Sequence, residues 1–222
     1  ASQLRHSEFS VGRTLHDDTS IEFAVYQDRM VGSGSTFLIA RGTKDDQDPQ
    51  LLQLREDQSA QRGFRLVVNR KLYDFLTGTF SYGYGSGMKA APPDSMPGDV
   101  FVQNLLNYIE RSYYHLLTTQ VSAQLPRTKT NVATMVRWYA GEPITSIDVF
   151  ADRLDLMTKG VSFFVRQVIP LPEFMGSGHW EASLDLRNMF DQGFDRITTR
   201  DGDLVLIRNP RAVRFGVNLN FF

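Results

Sequence analysis

The last twelve residues, RAVRFGVNLNFF, set Val213, Phe215, Val217, Leu219 and Phe221 in strict alternation with Arg214, Gly216, Asn218 and Asn220. A period of two is the period of a β-strand, whose side chains point to opposite faces in turn, so this stretch has one apolar and one polar face. Two terminal phenylalanines, Phe221 and Phe222, need something to cover them. An aromatic end lying at a bilayer interface has that cover.

The same alternation recurs along the chain. In 6–15, Phe9, Val11 and Leu15 oppose Glu8, Ser10, Gly12 and Thr14, and from Ile21 onward Phe23 and Val25 oppose Glu22 and Ala24. In 62–72, Phe64, Leu66, Val68 and Leu72 oppose Arg65, Asn69 and Lys71. The segment 76–85 sets Leu76, Phe80, Tyr82 and Tyr84 against Thr77, Thr79, Ser81, Gly83 and Gly85, a face of small residues suited to a crowded or solvent-filled interior. Further strands are expected over 117–125, 131–141, 160–169, 179–190 and the terminal stretch. The segment 104–117 reads equally as a helix, with Leu105, Leu106, Ile109 and Tyr113 on one face, or as a passage from loop to strand.

Connections between these strands alternate short and long. HDDTS, YDF, PRTKT and PLPEFMGSG are compact. The polar stretch with GSGS and KDDQDPQ, the proline-rich APPDSMPGD, the segment 142–159 and the segment 191–210 are long, the last with its own Asp-Gly hairpin signal. Transmembrane barrels keep short periplasmic turns at one end and long external loops at the other. Aromatic residues gather at strand ends (Tyr82, Tyr84, Trp138, Tyr139, Trp180, Phe221), as interfacial girdles do. Charges at Glu181, Asp185, Arg187 and Arg65 share one mid-strand parity, which suits a wet lumen and would be costly in a dry core.

These patterns predict an all-β, antiparallel transmembrane barrel of about nine or ten strands over 1–222. Counting back from a periplasmic C-terminus places Ala1 outside the cell, so the expectation is a chain lacking the earlier strands of a larger barrel. Two readings stand beside it: a small complete structural or adhesive outer-membrane barrel, and a soluble lipocalin-like binding protein with its apolar faces turned inward.

Composition narrows the chemistry. The 24 basic and 25 acidic residues leave a net charge of −1, with no electrostatic case for nucleic acid. No cysteine is present, which removes disulfides, thiolate metal sites and cysteine nucleophiles. No apolar run exceeds four residues, far below the roughly 20 of a membrane-spanning helix.

No catalytic, cofactor-binding or metal-binding residue is assigned, and no cofactor is expected. The four histidines, His6, His16, His115 and His179, are scattered. The Gly-Ser-Gly sites at Gly32, Gly85 and Gly176 lack the strand-to-helix context of a nucleophile elbow. Asp45, Asp46 and Asp48, with Asp201 and Asp203, are candidates for a loop Ca²⁺ site but lack EF-hand spacing, so solvated loop charge is the plainer reading. Arg65, Lys71, Arg137, Arg166 and Arg187 either draw an anionic ligand into the lumen or, paired with Glu181 and Asp185, brace its wall. Bracing is preferred.

Three stretches carry a resemblance: RGFRLVVNRKLYDFLTGTFSYGYG, EASLDLRNMFDQGF and RFGVNLNFF. They resemble the short-turn, tyrosine-rich strand pair, the penultimate strand and the closing strand of TonB-dependent outer-membrane receptors. The likeness extends over most of the chain, the long loops excepted. It implies the C-terminal part of a 22-stranded, plugged barrel that imports a scarce ligand across the outer membrane of a Gram-negative cell. A TonB-like protein would supply the energy through an N-terminal part. The chain departs from the family's pattern in having no plug or energy-coupling box and in leaving Phe222 out of phase. By itself, such a sheet is expected to have two open edges and not to insert as a stable closed pore.

Overall fold

The computed structural model describes residues 3–16, 18–41, 50–93, 95–141, 143–144, 147, 160–170, 178–190, 194–200, 202–207 and 211–221. The alternating stretches become β1 (Gln3–His16), β2 (Thr19–Arg41), β3 (Gln50–Tyr73), β4 (Leu76–Ala90), β5 (Ile109–Leu125), β6 (Thr130–Tyr139), β7 (Gly160–Pro170) and β8 (Gly178–Met189). A hairpin, β9 (Phe194–Thr199) and β10 (Gly202–Ile207), precedes the closing strand β11 (Ala212–Phe221). Strands β1 to β8 pair antiparallel in sequence order, and β11 pairs with β8. The chain is therefore an up-and-down meander with the short connections at one end and the long ones at the other.

Among the described residues β1 pairs only with β2 and β11 only with β8, so the sheet is open and no closed barrel forms. The hairpin leaves the far side of the sheet and returns across it. Leu204–Ile207 of β10 pairs with Leu38–Arg41 of β2, above the part of β2 that β1 covers. Six strand spacings separate β8 from β2, roughly 29 Å if the sheet lay flat. Such a reach requires the sheet to curl.

Three expectations need correction. The polar stretch with GSGS is not a long loop. β2 and β3 run on as a paired ribbon of 23 and 24 residues, with Gly34 opposite Arg55 and Ser35 opposite Leu54, and only 42–49 lie between them. Ladder hydrogen bonds form between backbones whatever the side chains, so a strand can pair without apolar alternation in its sequence. Next, the expected loop APPDSMPGD ends in a helix, since Gly98 and Asp99 lie in α1 (Gly98–Gln103). Of the two readings of 104–117, the passage into a strand is the one found, a 3₁₀ turn (Leu105–Tyr108) leading into β5 at Ile109. Finally, the alternation of 179–190 fails at Asn188, which is buried with φ +60°, and β8 ends at Met189. Phe190, at φ +70°, then projects into the open.

Register joins the apolar parities into one continuous face. One row runs Phe9, Val25, Phe64, Tyr84, His115, and the next Val11, Phe23, Leu66, Tyr82, Leu117, Trp138. Across β7, β8 and β11 the face continues through Val165, Leu184 and Phe215. Burial is inverted relative to a soluble sheet. Phe9, Val213 and Phe215 on the apolar face are 71, 68 and 72% exposed, whereas Ala24, Tyr26 and Asp28 on the polar face are 1, 2 and 0% exposed. The polar face is the inside of the curl.

Candidate functional site

Negative charge is confined to one face of the described sheet. Among the described side chains of β1–β8 and β11, Glu8, Glu22, Asp28, Glu110, Glu181 and Asp185 all have the parity of the concave face, and the outward face has no carboxylate. The concave face is thus the polar working surface of the sheet.

Its densest polar cluster spans β1, β2 and β3. His6 and Asp28 are cross-strand partners, and His6 Nδ1 meets Asp28 Oδ1 at 2.5 Å. His6 Nε2 lies 3.2 Å from Glu8 Oε2, and Arg65 Nη2 donates to both Glu8 oxygens at 3.2 Å. The cluster is therefore a chain, Asp28–His6–Glu8–Arg65, with alternating carboxylate and basic groups. The two imidazole nitrogens face different carboxylates, so the three acidic and imidazole groups do not converge on one point as metal ligands would. Gln61, opposite Asp28 in register, is 3% exposed, and its Oε1 has no hydrogen-bond partner among the described residues.

In the row of Glu8, glycines leave room for tyrosine side chains against the sheet. Gly63 and Gly85 are cross-strand neighbours beside Tyr26. A Cβ on Gly63 would meet Tyr84 O at 2.5 Å and Tyr26 Oη at 2.6 Å, and one on Gly85 would meet Tyr26 Oη and, at 2.8 Å, Ile147 Cγ2. Tyr26 Oη donates to the Ile147 carbonyl at 2.9 Å, tying β2 to the β6–β7 connection. Tyr114 lies similarly against Gly87 and Gly141, and it clusters with Leu116, Tyr139 and Ile147. The Gly85 site noted in the sequence is thus a strand seat for aromatic rings.

At the same end the long connections share a small core. Phe101 of α1 and Leu204 of β10 are fully enclosed, with Met96, Ile144 and Ile197 around them. Backbone bonds from Arg200 N to Met96 O (2.9 Å) and from Ile144 N to Met88 O (2.8 Å) fix the hairpin and the β6–β7 connection there. Over β5–β8 the concave face stays open as a pocket of about 300 Å³ lined by Gln120, Ala133, Met135, Phe164, Asp185 and Arg187. An apolar floor with a charged rim can seat a small amphipathic molecule.

The sequence-marked residues divide as follows. Arg65, Arg166 and Arg187 brace the wall: Arg166 donates to Glu181 at 2.6 Å and Arg187 to Asp185 at 2.8 Å. Arg137 is buried on the concave face. Lys71 is no lumen charge. A register shift at the end of β3 lets it reach Asp74 in the β3–β4 turn at 2.7 Å, and that bond holds the Asp74 carboxyl below its usual range. Of the histidines, His6 joins the acidic cluster, while His115 lies on the outward face, 2.7 Å from Tyr82 Oη. His179 lies in β8, and the His16 side chain lies outside the described residues. Among the acidic loop candidates, Asp45, Asp46, Asp48 and Asp201 lie outside the described residues, as does Gly176, while Gly32 and Asp203 are strand residues of β2 and β10. Asp28 escaped the sequence reading. Its signal was a lone acid continuing the Glu22–Ala24–Tyr26 parity, legible once β2 is known to run past Tyr26.

Comparison of the chain with protein-family models, with curated proteins and with solved structures finds no match.

Proposed function

We propose that this chain is a wall segment of an outer-membrane β-barrel, its apolar face toward lipid and its concave polar face lining the lumen, in a receptor of the TonB-dependent type. One observation carries the reading: the sheet buries its polar face and exposes its apolar one. Water would penalise that arrangement by about 25 cal/mol for each Å² of apolar surface left uncovered. A hydrocarbon solvent removes the penalty, and only a sheet with paired backbones is tolerated there. Strand length supports the reading. β6, β7, β8 and β11 span 10, 11, 12 and 10 residues, close to the roughly 9–11 that cross a bilayer. A lipocalin-like binder would turn these apolar faces inward. The open edges of β1 and β11 would be satisfied by further strands.

The two tryptophans test the lipid arm directly. Trp138 and Trp180 are the chain's only tryptophans, and both have the outward parity. Reconstituted protein should lose most of its tryptophan emission to lipids brominated on their acyl chains and little to aqueous iodide. Protein that stays soluble without detergent and responds only to iodide would sink the reading. The uptake arm rests on the resemblance of 62–85, 181–194 and 214–222 to that receptor class. Reading the gene upstream of the Ala1 codon tests it: a plug-like domain in the same frame supports uptake, and a start codon and signal peptide directly before Ala1 would replace it with a small complete barrel.

A further inference from the structure

Among the described residues the outward face carries charge only at its margins, and every charge there is an arginine. Arg13 and Arg70 lie toward the short turns. Toward the long connections, the row Phe9–Val25–Phe64–Tyr84–His115 is followed by Ser7–Gln27–Arg62 with Ser86–Tyr113, and then by Arg5–Arg29–Ala60 with Met88–Arg111. Two residues of strand advance about 7 Å, so four arginines lie within roughly 14 Å of the last apolar row. Arg5 and Arg29 are direct cross-strand partners, a juxtaposition of like charges that costs free energy unless an anion offsets it. Arg5, Arg29, Arg62 and Arg111 are exposed, and none makes an ion pair with a described residue. Arg62 is oriented by donating from Nε to Tyr113 Oη at 3.1 Å, and Tyr113 stacks on Tyr84 with ring centres 5.5 Å apart.

We propose that this arginine row is a binding site for phosphate-bearing lipid headgroups in the leaflet on the side of the long connections. The inference rests on the membrane-wall reading and adds to it a ligand class and a site. A guanidinium offers planar, bidentate donors that match a phosphate, and the row lies where headgroups begin, just past the apolar band and its tyrosines. No carboxylate among the described side chains of this face competes for those donors.

Native mass spectrometry of the full chain in detergent, with phosphatidic acid or phosphatidylcholine of the same acyl chains, reads the site. Phosphatidic acid should be retained preferentially. The combined Arg5→Gln, Arg29→Gln, Arg62→Gln and Arg111→Gln variant should lose affinity by about fivefold per arginine, while the matching lysine variant keeps most of it. If the combined variant does not fold, Arg29→Gln alone, with its expected fivefold loss, decides. Unchanged binding by the glutamine variants overturns the proposal. So does full displacement by inorganic phosphate at matched concentration, which would mark a free-anion site. Bromolipid quenching without any phosphatidic acid preference defeats this inference and leaves the wall reading standing. Absence of quenching defeats both.

Discussion

The two faces of this sheet are made from the same strands and obey opposite rules. Outward, side chains are mostly large and apolar, and most neighbours meet as apolar surfaces: Phe23, Phe64 and Tyr82 follow one another at 5.8 and 6.0 Å between ring centres. Inward, side chains are small or charged, and partners are specific, as in Asp28–His6–Glu8–Arg65 and Tyr26 on its glycine seat. A face meeting a uniform solvent needs only compatible chemistry, and many residues satisfy it. A face enclosing polar groups must satisfy each one, because an unpaired buried polar group costs about 1–3 kcal/mol. The outward face should therefore tolerate changes of shape and reject charge, and the inward face should do the reverse.

The largest expected effect tests charge. Phe215→Arg, in the middle of the outward face of β11, should destabilise the detergent- or lipid-folded state by about 2–4 kcal/mol in urea unfolding. Asn218→Arg, on the other parity of the same strand, should stay within roughly 0.5 kcal/mol of the parent. Equal effects at both positions would erase the distinction between the faces.

Shape gives the next contrast. On the inward face, Gly63→Ala places a methyl group against Tyr84 O and Tyr26 Oη and should cost about 1–3 kcal/mol by overpacking. Outward, a Cβ at Gly78 meets Leu72 Cδ1 at 3.5 Å, an ordinary contact, so Gly78→Ala should be nearly neutral or slightly stabilising in the same unfolding measurement. A larger loss at Gly78 than at Gly63 would overturn the assignment of the crowded face.

The smallest effect lies outside both faces, in the β3–β4 turn. The Lys71 ammonium, bonded to Asp74 at 2.7 Å, lowers the folded-state pKa of that carboxyl below its unfolded value. The stability it contributes is present above the unfolded pKa and is lost as pH falls through the folded one. Both groups are solvated and the pair is screened, so Asp74→Asn should remove only a slight stability difference between neutral and acid pH, seen as parallel melting curves. A large acid-dependent shift abolished by Asp74→Asn would mean that the turn is far less exposed than its geometry implies.

Several features were legible in the sequence because they are local. Parity in β1, β4, β6 and β11 follows from alternation at Phe9–Leu15, Leu76–Tyr84, Val132–Trp138 and Val213–Phe221, and the short turns at YDF and PRTKT follow from breaks in it. The Asp-Gly signal of the last long connection marks a real hairpin, with Gly202 opposite Thr199. The β2–β3 ribbon was illegible because VGSGST and its partner QLREDQ carry no apolar alternation, and the end of β8 because a left-handed Asn188 interrupts the pattern without changing composition. Of the inward site, Arg166–Glu181, on adjacent strands, and Arg187–Asp185, two residues apart on β8, could be anticipated from parity. His6–Asp28 could not, because pairing residues 22 apart depends on the register of a turn.

By itself, then, the sequence determined that the chain forms amphipathic antiparallel strands, which residues share each face, and which end of the sheet carries the long connections. These are consequences of a two-residue period and of breaks in it, and they require no contact beyond the next strand. Tertiary structure alone decided which face lies inside the curl, that β10 reaches back to β2, and that glycines at 63, 85 and 87 seat tyrosines from other strands. Alternation is blind to the sign of curvature. Curvature is set where distant elements meet, at Tyr26 with Ile147 and at Phe101 with Leu204.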